Sequence, residues 1–177
     1  KKHRNCHQKA ESLYSALVQR ECATNISLLC HSMGNYVLKH TLSTSENASS
    51  RLVFDNICLV AADTNNEDHD VWVEKLDARK RIYIVINEND SALKASRIKP
   101  GKEQKARLGH YLRKLDSENS YYIDVTHAQG LGTAHTYFKG DSVTDNDRLR
   151  LLFGGMFKGD AIDQRLIYHP DTNTYTF

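Results

Sequence analysis

The 177-residue sequence lacks the motifs that mark several classes of protein. It has no CxxC pair, no HExxH or HxH cluster, and no glycine-rich motif of the GxGxxG or GxxxxGK[ST] type. Only two prolines and nine glycines occur, so the chain is neither collagen-like nor of low complexity. These absences argue against a zinc-dependent enzyme and against a doubly wound nucleotide-binding protein.

Long apolar runs and a one-sided charge are also absent. No apolar stretch approaches the roughly 20 residues of a membrane-spanning helix, and no signal-peptide hydrophobic region stands at the start. The net charge is +2, with both signs interspersed along the chain. We therefore expect no nucleic-acid partner, no membrane span and a cytoplasmic location.

The cysteines do not form a disulfide framework. The four of them, Cys6, Cys22, Cys30 and Cys58, are widely spaced, and two lie within apolar runs. We expect reduced thiols inside a core and no metal site.

Short apolar runs alternate with amphipathic segments along the chain. Strands are predicted over residues 26–30, about 57–61, 81–87 and 121–126, and helices over 10–21, 34–42, 69–78, 90–98 and 145–157. This alternation predicts an α/β fold in one domain over residues 1–177, with about four mainly parallel strands and helices on both faces. The polar tail after residue 164 is not assigned to any element.

The chain opens on a charged segment without an initiating methionine. Its first predicted strand is apolar enough to need a neighbour on each side. We therefore expect the chain to be the C-terminal portion of a longer, N-terminally truncated domain.

The segment ISLLCHSMGNYVLKHTL places a serine between a predicted strand and a predicted helix. Cys30, His31, Ser32, Met33 and Gly34 match the G-x-S-x-G nucleophile elbow, with cysteine in place of the first glycine. Small residues flank such a serine because strand and helix backbones approach closely at the strained turn. The Met33 N–H, at the start of the helix, is placed to donate to an oxyanion. A serine that merely begins a helix is the alternative.

A nucleophilic serine requires an acid and a base, which follow it in the order Asp, His in such elbows. Asp90 comes directly after the most apolar strand and is the predicted acid, although it also fits a helix N-cap. Glu88 and Asp63 are the alternatives. His135, in a glycine-containing loop after the last strand, is the predicted base, with His127 as the alternative.

These motifs together resemble a bacterial-type, lipase-like family of α/β hydrolases that are predicted serine esterases. The resemblance rests on LLCHSMGNYVLKHTL, on AAD at 61–63, on NDSAL at 89–93 followed by Ser96, on ARLG at 106–109 and on AHTYF at 134–138. It implies a three-layer α/β-hydrolase core with Ser32, Asp90 and His135 as the catalytic triad and no cofactor. It also implies earlier strands, and a second oxyanion donor from the loop after the third strand.

The substrate class and the partners are less closely defined. The mean hydropathy of −0.59 favours a small or polar ester over a bulk lipid. The basic residues between 94 and 105 favour an acidic substrate, or form a solvated face. The alternative to an esterase is a catalytically inert module used for protein contact, in which the triad residues would not converge. Self-association, or completion of the sheet by a missing segment, is expected.

Overall fold

The computed structural model describes residues 25–44, 54–98 and 105–177. The helix predicted over residues 10–21 lies outside these ranges, as do Cys6 and Cys22. The strands are β1 (Leu28–His31), β2 (Asn56–Val60), β3 (Arg81–Ile86), β4 (Tyr121–Asp124), β5 (Ile167–His169) and β6 (Thr174–Thr176). The helices are α1 (Met33–Thr44), α2 (Asp70–Val73), α3 (Ser91–Arg97), α4 (Asp141–Thr144) and α5 (Asp147–Lys158), with 3₁₀ turns at Leu108–His110 and Ile162–Arg165.

The six strands form one sheet in the order β1-β2-β3-β4-β6-β5. Neighbouring strands from β1 to β6 run parallel, with Leu29 opposite Cys58 and Ile84 opposite Tyr122. Side chains of β2 and β3 are buried on both faces of the sheet. This explains why these strands are continuous apolar runs in the sequence and not alternating ones.

Helices cover both faces of the sheet, so the predicted three-layer α/β arrangement is confirmed. One buried cluster joins β2 to β4 with α3 and α5, through residues that include Val85, Leu93 and Phe153. The opposite cluster includes Ile84 and Trp72 and packs against α1 and α2. The first turn of α5 is capped by Asn146, whose side chain accepts from the Leu149 N–H.

The sheet contains two strands more than the four that were predicted. The unassigned tail forms an antiparallel hairpin, β5–β6, whose second strand pairs in parallel with β4. Each of these strands has three residues, and every residue of β5 is exposed. Neither strand is long or apolar enough to produce a periodic signal, and only the turn residues from Pro170 to Asn173 indicate a hairpin.

The helix predicted over residues 69–78 is also shorter than expected. It ends at Val73, because the backbone N–H groups of Arg79 and Lys80 bond to Phe54 and Asp55 and bring the chain back to begin β3 beside β2. No helix among the described residues is long and apolar enough to cross a membrane.

Both cysteines within the described ranges are unpaired. Burial raises the pKa of the Cys30 thiol to about 11 and that of the Cys58 thiol to about 12. Both are therefore protonated and unreactive at neutral pH.

Candidate active site

Ser32 occupies a strained turn between β1 and α1. Its φ angle is +53°, in the left-handed region that residues with a side chain rarely adopt. The turn lies at the carboxyl end of the parallel strands, where the Ser32 N–H donates to the Val60 carbonyl of the neighbouring strand at 3.1 Å. This strand–turn–helix setting is the one that presents a serine hydroxyl at the edge of a hydrolase sheet.

Asn35 stabilises this turn through hydrogen bonds from its side-chain amide. It is fully buried, and its Nδ2 donates to the carbonyls of Cys30 (3.0 Å), Ser32 (3.1 Å) and Val60 (3.4 Å). The Ser32 carbonyl also accepts from the backbone N–H groups of Asn35 (3.1 Å) and Asp63 (3.2 Å). Sequence reasoning did not identify Asn35, although a buried polar residue one turn into an amphipathic helix is the signal that could have found it.

Cys30 and Gly34 lie next to each other across the turn. A Cβ added at Gly34 would be 4.0 Å from the Cys30 Cβ, which is an ordinary van der Waals distance. The cysteine therefore fits where the motif usually has glycine. Position 34 itself has room for a methyl group.

The Met33 N–H lies in the first turn of α1, next to Ser32. It makes no hydrogen bond to any described residue, and the Met33 side chain is 61% exposed. A backbone N–H at this position, next to the serine, is the donor that stabilises an oxyanion in hydrolases of this kind. The second donor implied by the resemblance stays a prediction.

Asp90 follows β3 and makes two kinds of contact with its two carboxylate oxygens. Oδ1 accepts from the N–H groups of Ala92 and Leu93, both at 3.0 Å, and so caps α3. Oδ2 accepts from Nδ1 of His135 at 2.7 Å. The side chain is completely buried. The two interpretations of Asp90 that the sequence allowed, helix cap and partner of a histidine, are therefore compatible.

His135 lies in the loop after β4, with its side chain 24% exposed. Because Nδ1 faces a carboxylate, we assign the proton to Nδ1, which leaves Nε2 as an acceptor. No hydrogen bond joins Nε2 to the Ser32 hydroxyl within the described residues. The structure thus brings Asp90 and His135, the predicted acid and the predicted base, into contact and places Ser32 on the elbow without a hydrogen bond to His135. Such contacts are often long in a ligand-free site and tighten when substrate binds.

The loop that carries His135 is anchored on the loop that carries Asp90. Asn87 is fully buried, and its Nδ2 donates to the carbonyls of Gly132 (3.1 Å) and Ala134 (3.2 Å). The Ser91 N–H donates to the Thr133 carbonyl at 3.2 Å. These bonds fix the backbone on the N-terminal side of His135.

Two further segments brace the same edge of the sheet. The buried Tyr137 hydroxyl donates to the Val85 carbonyl at 3.1 Å and accepts from the Ala61 N–H at 3.2 Å. Gly109, in the ARLG segment, crosses so close to β2 that an added Cβ would lie 2.2 Å from the Ala62 nitrogen. Only glycine fits this crossing without movement of the backbone.

The alternative acids and base make other contacts. The Asp63 carboxylate accepts from the Ser96 hydroxyl at 2.8 Å and lies 3.2 Å from the Arg107 guanidinium. Glu88 is exposed and accepts a backbone N–H at 3.2 Å. His127 is exposed, and its side chain makes no hydrogen bond to Asp90.

A separate cleft of about 790 Å³ lies beside the start of α5, with His127, Asn146 and His169 among its lining residues. None of Ser32, Asp90 and His135 lines it. In the described part of the chain, no three His, Cys, Asp or Glu side chains are grouped so that they could hold a metal ion. We therefore take the Ser32 elbow as the candidate site.

Comparison with known proteins agrees with the fold. The family model for an alpha/beta hydrolase of unknown function (DUF900) matches residues 2–138, a range that includes Ser32, Asp90 and His135. No curated protein and no solved structure matches the chain. The chain belongs to this family of alpha/beta hydrolases, which indicates a hydrolase.

Proposed function

We propose that the chain is the catalytic core of a serine hydrolase that cleaves carboxylic esters. The observation that carries the proposal is the 2.7 Å hydrogen bond between the buried Asp90 carboxylate and His135 Nδ1. It lies at the same edge of the sheet as a serine with a φ of +53°. A buried carboxylate that fixes the tautomer of a partly exposed histidine beside a strained serine is the arrangement that nucleophilic catalysis requires.

In the first half of the reaction, Ser32 Oγ attacks the ester carbonyl carbon while His135 Nε2 takes the hydroxyl proton. The electron pair of the C=O bond moves to oxygen, and the Met33 N–H donates to the resulting oxyanion. When the intermediate collapses, the bond to the alcohol oxygen breaks and His135 gives its proton to the leaving alcohol. The product is an acyl ester on Ser32.

In the second half, His135 takes a proton from water, whose oxygen attacks the acyl carbon. When this second intermediate collapses, the bond from the acyl carbon to Ser32 Oγ breaks, His135 returns the proton to Oγ, and the acid is released. Asp90 keeps the imidazole in the Nδ1–H tautomer throughout and stabilises the imidazolium that forms twice per cycle. Asp90 remains ionised and does not itself transfer a proton. A donor missing from the oxyanion hole typically reduces the rate by about 10²–10³, so the upstream donor that the resemblance implies has a large effect on the rate.

The test is covalent labelling with a fluorophosphonate, read by intact-mass and peptide mass spectrometry. We expect one adduct, on Ser32, and none in Ser32→Ala. The labelling rate should fall sharply in His135→Ala. It should stay unchanged in His127→Ala, the matched control, which removes an exposed histidine from the same loop. Labelling of another residue, or His135→Ala reacting as fast as wild type, would contradict the proposal.

The alternative, a catalytically inert module for protein contact, is favoured by one observation. Ser32 and His135 are not hydrogen bonded to each other in the described residues. If this chain did not react with the fluorophosphonate, the inert module would be the better interpretation.

We propose a small or polar ester as substrate. Lys94 and Arg97 are exposed at the end of α3, whereas Lys105 pairs with Glu67 at 3.1 Å. Lys105, one of the basic residues between 94 and 105, is therefore already engaged in a surface ion pair. Comparing p-nitrophenyl butyrate with its long-chain and acidic (monosuccinate) counterparts tests this choice, and a preference for the long acyl chain would contradict it.

A further inference from the structure

His31, the residue before the candidate nucleophile, contacts the candidate base directly. Its Nε2 lies 3.0 Å from the backbone carbonyl oxygen of His135. The two imidazole rings lie 4.6 Å apart, and the His31 ring lies 5.1 Å from the ring of Phe138. Because a carbonyl only accepts, the proton of neutral His31 is on Nε2, and Nδ1 is the site that a second proton would take.

This hydrogen bond has a particular place in the site. Within the described residues it is the one hydrogen bond between the elbow, residues 30–35, and the loop that carries His135, residues 127–138. Asn87 fixes the loop to the acid side, just before His135. The His31 bond fixes the carbonyl of His135 itself to the nucleophile side.

We propose that His31 is a positioning residue for the general base. Its Nε2–H ties the backbone of His135 to the elbow and so limits how far the His135 imidazole can lie from the Ser32 hydroxyl, which Nε2 must reach when substrate binds. The proposal deepens the proposed function and rests on it. His31 takes no part in bond making or breaking.

The charge state of His31 also affects the neighbouring imidazole of His135. Burial lowers the pKa of His31, and the neighbouring His135 and Lys139 act in the same direction. The hydrogen bond to the His135 carbonyl and the Asp90 carboxylate oppose the effect of burial. His31 is therefore neutral at neutral pH. At lower pH a proton on Nδ1 would add a positive charge beside the imidazole that must itself become positive during proton transfer. Protonation of His31 should therefore lower activity at acid pH.

Two substitutions separate the hydrogen bond from the ring. His31→Gln keeps an N–H donor of similar reach, but its amide cannot take up a proton and become charged. His31→Phe keeps a ring against His135 and Phe138 but has no donor. For p-nitrophenyl butyrate we expect kcat of His31→Phe to fall about three- to tenfold with KM little changed, the range typical of one lost hydrogen bond. We expect kcat of His31→Gln to stay near wild type at neutral pH and to fall less than wild type at acid pH, and His127→Gln is the matched control.

Nuclear magnetic resonance of the imidazole nitrogens gives a readout that does not require turnover. In wild type and His31→Gln, His135 should show one sharp set of signals with its proton on Nδ1. In His31→Phe these signals should shift or broaden while the melting temperature shows that the chain is folded. Unchanged His135 signals in His31→Phe, or a His31→Gln variant as impaired as His31→Phe, would overturn the positioning role. A wild-type chain that is never labelled at Ser32 would overturn the proposed function instead.

Discussion

Replacing Asp90 by asparagine is expected to separate the two roles of this carboxylate. Oδ1 caps α3 through two backbone N–H groups, and Oδ2 accepts from His135 Nδ1. Asparagine keeps a carbonyl oxygen and is as good an N-cap as aspartate. Its NH₂ group, however, only donates. Facing this group, His135 must move its proton to Nε2, and it then has no lone pair there to accept the Ser32 proton.

The expected magnitudes differ strongly between activity and stability. An amide in place of the triad acid reduces turnover by about 10⁴ because the base adopts the wrong tautomer. The free energy of unfolding should change little, since both capping bonds at 3.0 Å can be retained. Asp90→Ala removes the cap as well, which costs about 1 kcal/mol of stability. Both variants should therefore be inactive, and Asp90→Ala should be the less stable one.

Urea denaturation and the rate of fluorophosphonate labelling measure the two effects on the same samples. Glu88→Gln is the matched control, because it makes the same carboxylate-to-amide change two residues away at an exposed position. We expect the control to label at the wild-type rate. If Asp90→Asn kept more than about a tenth of the wild-type labelling rate, the tautomer argument would be refuted. If Glu88→Gln lost activity instead, Glu88 would be the acid.

Three further predictions concern the frame around the site. Asn35→Ala removes a buried donor from three carbonyls. We expect urea denaturation to show a free energy of unfolding lower by about 1–3 kcal/mol, and fluorophosphonate labelling to be slower. A variant as stable as wild type would contradict this. Gly109→Ala would place a Cβ 2.4 Å from the Ala61 carbonyl carbon, and we expect the free energy of unfolding to fall by about 1–3 kcal/mol. The control is Gly154→Ala, whose added Cβ meets nothing within 4 Å and should leave stability unchanged or raise it. Burial lowers the pKa of His69, so below about pH 6.5 the unfolded chain takes up a proton on His69 before the folded chain does. The free energy of unfolding should therefore fall as the pH falls, by at most about 1.4 kcal/mol per pH unit. Denaturation of His69→Gln at several pH values should show a weaker dependence of stability on pH than wild type.

The strands that the sequence predicted are those whose burial leaves a strong local signal. β2 and β3 are buried on both faces, so Ile57 to Val60 and Ile82 to Ile86 form unbroken apolar runs. The hairpin of β5 and β6 is different, because its place in the sheet depends on pairing with β4 more than forty residues earlier. Three-residue strands that pair across such distances carry almost no periodicity of their own.

The site divides in a similar way. The order and setting of Ser32, Asp90 and His135 could be predicted because each follows a recognisable strand, and the carboxyl ends of parallel strands share one edge of a sheet. Asn35 and Asn87 could not, since their roles depend on carbonyls that only the folded chain brings to them. The His31 contact spans 104 residues and left no local pattern at all.

The distribution of hydrogen bonds around Ser32 explains how a strained turn can persist in the folded chain. A non-glycine residue in the left-handed region costs of order 1–3 kcal/mol and survives only where its surroundings over-determine it. At Ser32 the N–H and the carbonyl are both engaged, the latter by Asn35 and the Asp63 N–H. Among the described hydrogen bonds, that of His31 alone joins the loop that carries His135 to this elbow. The serine is thus the fixed element of the site, and the distance from Ser32 to His135 is the quantity that substrate binding, or the loss of one hydrogen bond, is expected to change.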